Sequence, residues 1–294
     1  MALQTIRSAR RAAGQVDLEW FVVDCGSTDG TADAMEAEWP DITVFRRPNI
    51  GFAAGNNVAL PHANGRYVLL LNPDVEVRRG TFQGLVEAMD RRREVGAASV
   101  YQLAPDGSIL PSIRRFPSVG RKLGEALFAD RWPVARQLQE AETRPSEYAD
   151  ERSADWLVGA FLVVRREVLA QVGRLDERFF LYSEEADWCY RIRASGWDVR
   201  HLPIMAITHF GAERARPELM AQLSHSKVLF ANKHFGRLRG AGVRAALALG
   251  HLLRVMVIVP VATVRSGARI RLRGEAAALR VTLGLMAPPF RREP

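Results

Sequence analysis

The first hundred residues predict an α/β fold, a mostly parallel sheet with helices on both faces. Two observations carry the prediction. Apolar runs recur as "LEWFVVD", "ITVFRRP", "YVLLLNPDV" and "GAASVYQL", each ending in a polar turn. Helical periodicity fills the intervals between them, and strands alternating with helices build parallel sheets. In such sheets ligands bind beyond the carboxyl ends of the strands.

The elements follow in order. Leu3 to Ala13 has helical spacing, with Leu3 and Ile6 on one face. "LEWFVVD" is a strand ending at Asp24, and "CGSTDGT" turns into a helix from Thr31 to Trp39. Thr28 or Asp29 caps that helix. "ITVFRRP" is a second strand, and the Gly-rich "NIGFAAGNNVALPHANG" holds a short helix. "YVLLLNPDV" is a third strand and "TFQGLVEAMDRRREV" a helix. "GAASVYQL" is the fourth strand. Pro111 to Ala154 lacks clear periodicity and reads as a mobile or partly helical insert. "WLVGAFLVVRREVLAQVG" is a strand and a helix, and "DERFFLYSEEADWCYRIRASG" a loop entering a helix. "WDVRHLP" and "IMAITHF" read as two closing strands.

Composition narrows the class. The 294 residues suit one large α/β domain with appendages, or two modest domains. Two cysteines, Cys25 and Cys189, without a CxxC pair exclude a disulfide framework and fit a reducing cytosol. The opening residues lack an apolar leader segment, which predicts no secretory signal. Charge is uneven. Arg237 to Pro294 holds 11 Arg and 2 Glu, a sum of +9, so the other 236 residues carry −1 of the total +8. A near-neutral body is therefore joined to a basic tail, with domains expected at 1–236 and 237–294.

Three predicted strands end in polar groups: Asp24, Asn49 and Asp74. A carboxylate at a strand mouth needs a partner. Asp29 has a bland reading of equal weight, as a turn residue and helix cap. Gly51 and Gly55 allow close backbone approach, with Asn49 and Asn56 beside them. This loop matches neither a Walker loop nor GxGxxG. Glu184, Glu185 and Asp187 cluster among Phe179, Phe180, Tyr182 and Trp188. Acids at a helix start suit the helix dipole. Acids among aromatics are also desolvated, which raises a carboxylate pKa and suits a general base. His209 becomes a metal ligand only if it meets Asp74. No Ser-His-Asp or Cys-His set is evident.

Taken together, VVDxGSTDGT, NxGFAAGNN, LLLNPDV, GAFLVVRR, FFLYSEEADWCYR and a later His resemble family 2 glycosyltransferases of the GT-A fold. With "GSILPSIRRFPS", the chain is most similar to the rhamnosyltransferase-like branch, from Leu3 to Gly236. The resemblance implies roles. Asp24 would read the nucleobase, and Asn49, Gly51, Gly55 and Asn56 would surround the nucleotide. Asn72 and Asp74 match the DxD-type motif, with Asn in first place. Asp74 and His209 would hold a divalent metal, Mg²⁺ or Mn²⁺, on the diphosphate. Glu185 matches the general base, with Glu184 and Asp187 as alternatives. Trp188 and Arg191 would help form the acceptor site, and Gly159 would keep the sugar pocket open. Relative to the family pattern, the chain starts at its first helix, so an inner strand is expected to be missing.

In the tail, "AALALGHLLRVMVIVPVATVR" is apolar but interrupted by His251, Arg254 and Pro260. Its longest charge-free stretch, Val255 to Val264, is too short to span a bilayer. Arg interleaved with Leu and Val suits helices lying in a lipid headgroup region; a helical subdomain packed on the body is the bland reading. No nucleic-acid motif is present, so nucleic acid is not an expected partner.

The expectation is a metal-dependent, inverting glycosyltransferase of cell-envelope polysaccharide synthesis. It would use a dTDP- or UDP-sugar, rhamnose by branch resemblance, and a glycan or polyprenyl-linked acceptor. It would sit at the cytoplasmic face of the membrane as a peripheral protein. The alternatives are a non-catalytic, membrane-associated or partner-binding GT-A protein, and a nucleotide-sugar-binding regulatory module.

Overall fold

A parallel pair opens the structure, a computed structural model that describes residues 1–127, 137–211, 216–262 and 266–291. Helix α1 (Ala2–Ala12) leads to β1 (Trp20–Asp24), then α2 (Thr31–Glu38) and β2 (Ile42–Arg46). β1 and β2 pair in parallel, from Trp20↔Ile42 to Asp24↔Arg46. Asp29 Oδ1 accepts the Thr31 N–H at 3.0 Å and shapes the turn into α2, but the cap position is Gly30, at φ 75°, so neither Thr28 nor Asp29 caps the helix. α1 turns Ile6 onto Trp20 and Val22, and Met35 and Ile42 close the same small core.

Next come α3 (Phe52–Ala59), β3 (Tyr67–Leu71), β4 (Val75–Val77), α4 (Thr81–Arg91), β5 (Val95–Leu103), β6 (Ile113–Arg114) and α5 (Val119–Ala126). Strands β7 (Arg152–Ser153), β8 (Trp156–Leu157) and β9 (Phe161–Arg165) follow, then α6 (Arg166–Val172), α7 (Glu184–Ala194) and β10 (Asp198–His209). The chain closes with α8 (Pro217–Ala262) and α9 (Ser266–Thr282).

The main sheet runs β3-β9-β5-β10-β4, with β7 on β10. It is mixed. β5 and β10 are parallel, whereas β9 is antiparallel to both β3 and β5, and β10 is antiparallel to β4. The α/β class is as expected, but the parallel alternation of the first half does not continue. β9 enters the sheet from a short turn after β8 rather than from a crossover helix, which permits antiparallel pairing. "WDVRHLP" and "IMAITHF" form one strand, β10, whose register against β5 shifts between His201 and Ala206. Pro203 lies in that interval and has no N–H for the ladder. The centre is dry: Val95, Ala97, Ala98, Val100, Phe161 and Ile207 are fully buried.

The insert from Pro111 to Ala154 is ordered wherever it is described. It supplies β6, α5, a 3₁₀ turn at Pro145–Tyr148 and β7. Ser118 caps α5, accepting the Arg121 N–H at 3.2 Å. Residues 128–136 of the expected mobile segment lie outside the described residues.

Compactness divides the chain into two units, and the division does not follow the 236/237 boundary expected from charge. Unit one holds Met1–Arg114, Ala141–Glu177 and Glu185–Glu213; unit two holds Arg115–Glu140, Arg178–Glu184 and Arg214–Pro294. Unit two is helical. α8 changes direction at Gly236, whose φ of 82° breaks the helical backbone. A buried ion cluster ties α5 to α8: Lys122 Nζ contacts Glu140 and lies 2.7 Å from Glu125 Oε2, and Lys227 Nζ lies 2.9 Å from Glu140 Oε2. Glu140→Leu would leave two ammonium groups buried without this carboxylate. We expect it to destabilise the protein by about 3 kcal/mol in urea unfolding.

Unit two also contains a polar chain that sequence reading does not find. Ser224 Oγ lies 2.9 Å from His251 Nε2, and His251 Nδ1 lies 2.6 Å from Glu275 Oε2. The spacing resembles a hydrolytic triad. However, Ser224 is buried and its hydroxyl donates to the Met220 carbonyl at 3.0 Å, so it ties the two arms of α8 together, and His251 carries the link on to Glu275 of α9, instead of facing a substrate.

Candidate active site

Unit one builds its site from loops at strand ends. β1 ends at Asp24, whose Oδ1 accepts the Ser27 N–H at 3.1 Å. The Arg47 N–H donates to the Asp24 carbonyl at 2.9 Å, carrying the parallel ladder past β2. A Cβ built on Gly26 would sit 3.7 Å from the Asn49 amide nitrogen, so the Asp24 and Asn49 loops adjoin. Asn49 Oδ1 accepts the Gly51 N–H at 3.3 Å and sets the entry into α3. Gly55 packs under this turn, where a Cβ would lie 3.2 Å from Cys25 Sγ. Asn56 donates to the Phe52 carbonyl within its own helix at 2.8 Å. Its neighbour Asn57, not singled out from sequence, donates to the Leu175 carbonyl and accepts the Leu175 N–H. The adjacent pair "NN" offered no signal to separate the two.

A second cluster gathers at the end of β3. The Asn72 N–H donates to the Ala160 carbonyl at 3.0 Å. Thr5 of α1 holds the same loop, donating to the Pro73 carbonyl at 2.8 Å and accepting the Val75 N–H at 3.2 Å. Ser8 accepts the Val77 N–H at 3.1 Å. Sequence reading missed Thr5 and Ser8. Their only signal is two hydroxyls on the otherwise apolar face of a helix.

The loop is thereby fixed with Asp74 turned toward β10. His209 pairs with Val75 across the antiparallel ladder, and the Phe210 N–H donates to the Asp74 carbonyl at 2.9 Å. His209 Nε2 lies 3.2 Å from Asp74 Oδ1. A Cβ at Gly211 would collide with Asp74 Oδ2, so a side chain there would displace this carboxylate. A cleft of about 370 Å³ opens beside Asp74, bordered by Thr5, Ser8, Arg11 and Phe210.

These residues fit a hard divalent cation. Two ligands of one octahedral ion, each about 2.1 Å from it, stand about 3.0 Å apart. The Asp74–His209 separation matches that span, and the pair combines a carboxylate oxygen with an imidazole nitrogen. Asn72 Oδ1 is buried without a hydrogen-bond partner, leaving an acceptor for a further ligand or hydrated ion at the same loop. Among the described residues no group of three or more His, Cys, Asp and Glu assembles. Donor phosphate oxygens would therefore complete any such shell.

The third cluster is the start of α7. Tyr182 and Ser183 carry positive φ values of 69° and 66° immediately before Glu184. Consecutive left-handed residues with side chains are strained, and strain of this kind collects at functional sites. Glu185 is 8% exposed, and its Oε2 is buried with no hydrogen-bond partner. Burial pushes its carboxyl up. Its own N–H, the Arg114 charge and the N–H groups of Gly159 and Ala186 oppose that push. Gly159 thus meets Glu185 directly, and a Cβ there would lie 3.4 Å from Glu185 Cβ. Because Ala160 receives the Asn72 N–H, the turn 159–160 joins the Glu185 cluster to the Asn72–Asp74 loop.

The remaining expected residues look inward. Asp187 is fully buried and pairs with Arg191 Nε at 2.9 Å. Arg191 also donates to the Val172 and Arg174 carbonyls. Trp188 is fully buried, and its indole N–H donates to the Gly173 carbonyl at 2.9 Å. The structure therefore uses Asp187, Trp188 and Arg191 to seat α7 on the loop after α6. Periodicity could not separate this internal use from the acceptor contact expected of Trp188 and Arg191, because both need the same residue types. Glu184 is buried at 3% exposure. Burial pushes the Cys189 thiol up to about 12, so it stays protonated at neutral pH.

The family model of glycosyl transferase family 2 matches residues 1–138. An N-acetylglucosaminyl-diphospho-decaprenol L-rhamnosyltransferase of Mycobacterium tuberculosis is 30% identical over 256 residues, 79% of this chain and 82% of that protein. The rhamnosyltransferase WbbL of Escherichia coli is 21% identical over 169 residues, 54% of this chain and 61% of the relative. Among solved structures, the mannosyltransferase PcManGT of Pyrobaculum calidifontis, in complex with GDP-Man and Mn²⁺, superposes with a TM-score of 0.56. It is 17% identical, and the match covers 99% of this chain and 85% of that one. The likeness shows a shared GT-A fold. The chain belongs to glycosyl transferase family 2 and is rhamnosyltransferase-like.

Proposed function

We propose that this protein transfers a sugar, rhamnose by its relatives, from a dTDP- or UDP-sugar to a polyprenyl-linked or glycan acceptor in cell-envelope synthesis. The setting is the cytoplasmic face of the membrane, and the anomeric centre inverts. The observation that carries the reading is Glu185: a buried carboxylate with one unpartnered oxygen, joined through Gly159–Ala160 to the loop bearing Asn72 and Asp74.

Burial keeps Glu185 basic, and the backbone N–H groups aim it. Its free oxygen would take the proton of the acceptor hydroxyl as the hydroxyl oxygen bonds to the anomeric carbon. The carbon–phosphate oxygen bond breaks on the opposite face, and the nucleoside diphosphate leaves with the electron pair. Asp24 and the Asn49–Gly51 turn would hold the nucleotide, with Gly55 and Asn56 in the helix beneath them. Asp74 and His209 would hold Mg²⁺ or Mn²⁺, which when bound neutralises the charge growing on the leaving diphosphate.

The test is donor turnover with UDP-, dTDP- and GDP-sugars, with and without Mn²⁺ or Mg²⁺. Release of nucleoside diphosphate from a dTDP- or UDP-sugar that depends on metal is the expected result. Absence of both binding and turnover for every donor would favour the non-catalytic reading.

A further inference from the structure

The later part of α8 is built inside out. At 100° per residue, Ala245, Leu249, Leu252, Met256 and Val259 of α8 fall within an arc of about 80° and a length of about 21 Å. All five are exposed, Leu249 at 38%, Leu252 at 44%, Met256 at 59% and Val259 at 47%. The polar residues of this segment point the other way. His251 is buried against Ser224 and Glu275, and Arg254 donates to the Glu125 carbonyl of α5 at 3.1 Å. A helix of a water-soluble fold shows the opposite pattern. An exposed apolar stripe of this length marks an interaction site.

Charge identifies the partner. Arg237, Arg239 and Arg244 are exposed at the start of the stripe, and Arg271 and Arg273 are exposed on α9 with Ile270 between basic residues at 50% exposure. Apolar side chains bordered by arginines complement acyl chains beneath anionic headgroups.

Among the described residues, α8 is the one helix long and apolar enough to cross a bilayer, and its most apolar 18-residue window is 22% buried. The charge-free count from sequence understated it, because Arg254 interrupts that count yet is drawn onto α5. Crossing is nevertheless disfavoured by α5. A Cβ at Gly242 would meet Val119 Cγ2 at 2.8 Å, and one at Gly250 would meet Ala126 Cβ at 3.2 Å. α5, with its buried Lys122 ion cluster, therefore lies along this length of α8 and denies it a lipid annulus on that side.

We propose that the face of α8 from Ala245 to Val259 is a monotopic docking surface that sinks into the acyl layer of an anionic membrane leaflet. It does not require the transferase reading, because it rests on unit two alone.

The test uses the full chain and two kinds of vesicle, phosphatidylglycerol mixed with phosphatidylcholine, and phosphatidylcholine alone. Flotation with the anionic vesicles is expected. Leu252→Glu with Met256→Glu should weaken it at least about tenfold, at unchanged circular dichroism and unchanged donor turnover in solution. In Met256→Trp, indole fluorescence should be quenched by brominated acyl chains. Equal flotation of the double variant would overturn the proposal. So would flotation without quenching, which means headgroup adsorption by the arginines alone. A wild-type dimer that fails to float and is split by the double variant would also overturn it, assigning the stripe to a second copy. Donor turnover is read separately, so its absence in every variant overturns the transferase reading without touching this one.

Discussion

Glu185→Gln is expected to lower sugar transfer by about 10²- to 10⁴-fold while donor affinity stays within about twofold of wild type. Gln keeps the size and the hydrogen bonds from Gly159 and Ala186 but cannot accept a proton from the acceptor. The pH profile adds a sign. Burial raises the Glu185 carboxyl above the ordinary glutamate value. A base acts as the carboxylate, so kcat/KM should rise with pH through that raised pKa and level above it. The residual rate of the variant should lack this limb.

The same shift has a consequence for stability. A raised folded-state pKa contributes stability below the unfolded value, near about 4.3, and that contribution is lost as pH rises through the folded value. Above the raised folded value the ionised Glu185 weakens the fold, and there the Gln variant should unfold at the same or a higher urea concentration. An active site bought at the expense of stability behaves this way. Retained turnover in Glu185→Gln would move the base to Glu184. Asp187 is the poorer alternative, being fully buried and held by Arg191.

Asp74→Ala is expected to abolish metal-dependent donor binding, a loss of at least about 100-fold measured by titration with a nucleotide sugar in Mn²⁺. The size follows from charge. Asn72 carries none and an imidazole ligand is neutral, so Asp74 supplies the negative charge of the Asn72–Asp74 motif. Metal should consequently bind weakly without donor and tightly with it, since the diphosphate provides the remaining negative charge. His209→Ala should fall between wild type and Asp74→Ala. The Asp74 variant should keep its fold, because Thr5 and Ser8 hold the loop through backbone groups that Ala retains. If Asp74→Ala binds donor as well as wild type, in metal, the assignment of Asp74 fails.

Much of this was legible in the order of residues. Apolar runs broken by polar turns located β1, β2, β3 and β5, because strand length and turn chemistry are local properties. Asp29 as a turn residue, and the meeting of Asp74 with His209, followed the reading of the chain; a side-chain cap on α2 did not, since Gly30 takes that position. Pairing direction was not legible. The antiparallel entry of β9 depends on where a short turn delivers it, and β10 reads as two strands because Pro203 breaks its pattern without ending it. Thr5 and Ser8 were invisible for a related reason: a hydroxyl that satisfies a backbone sixty-odd residues away has no local signature.

The tail separates the two levels most sharply. Sequence alone determined that Arg237 to Pro294 is basic, apolar and helical, since composition and periodicity suffice for that. It could not decide which face is apolar, because His251 and Arg254 interrupt every stretch. Only the tertiary structure turned His251 to Glu275 and Arg254 to α5, leaving the apolar side chains outward. The same holds at the site. Sequence determined that carboxylates lie at Asp74 and Glu184 to Asp187. Packing decided which of them has an oxygen to spare, because burial and partners are properties of a neighbourhood that only folding assembles.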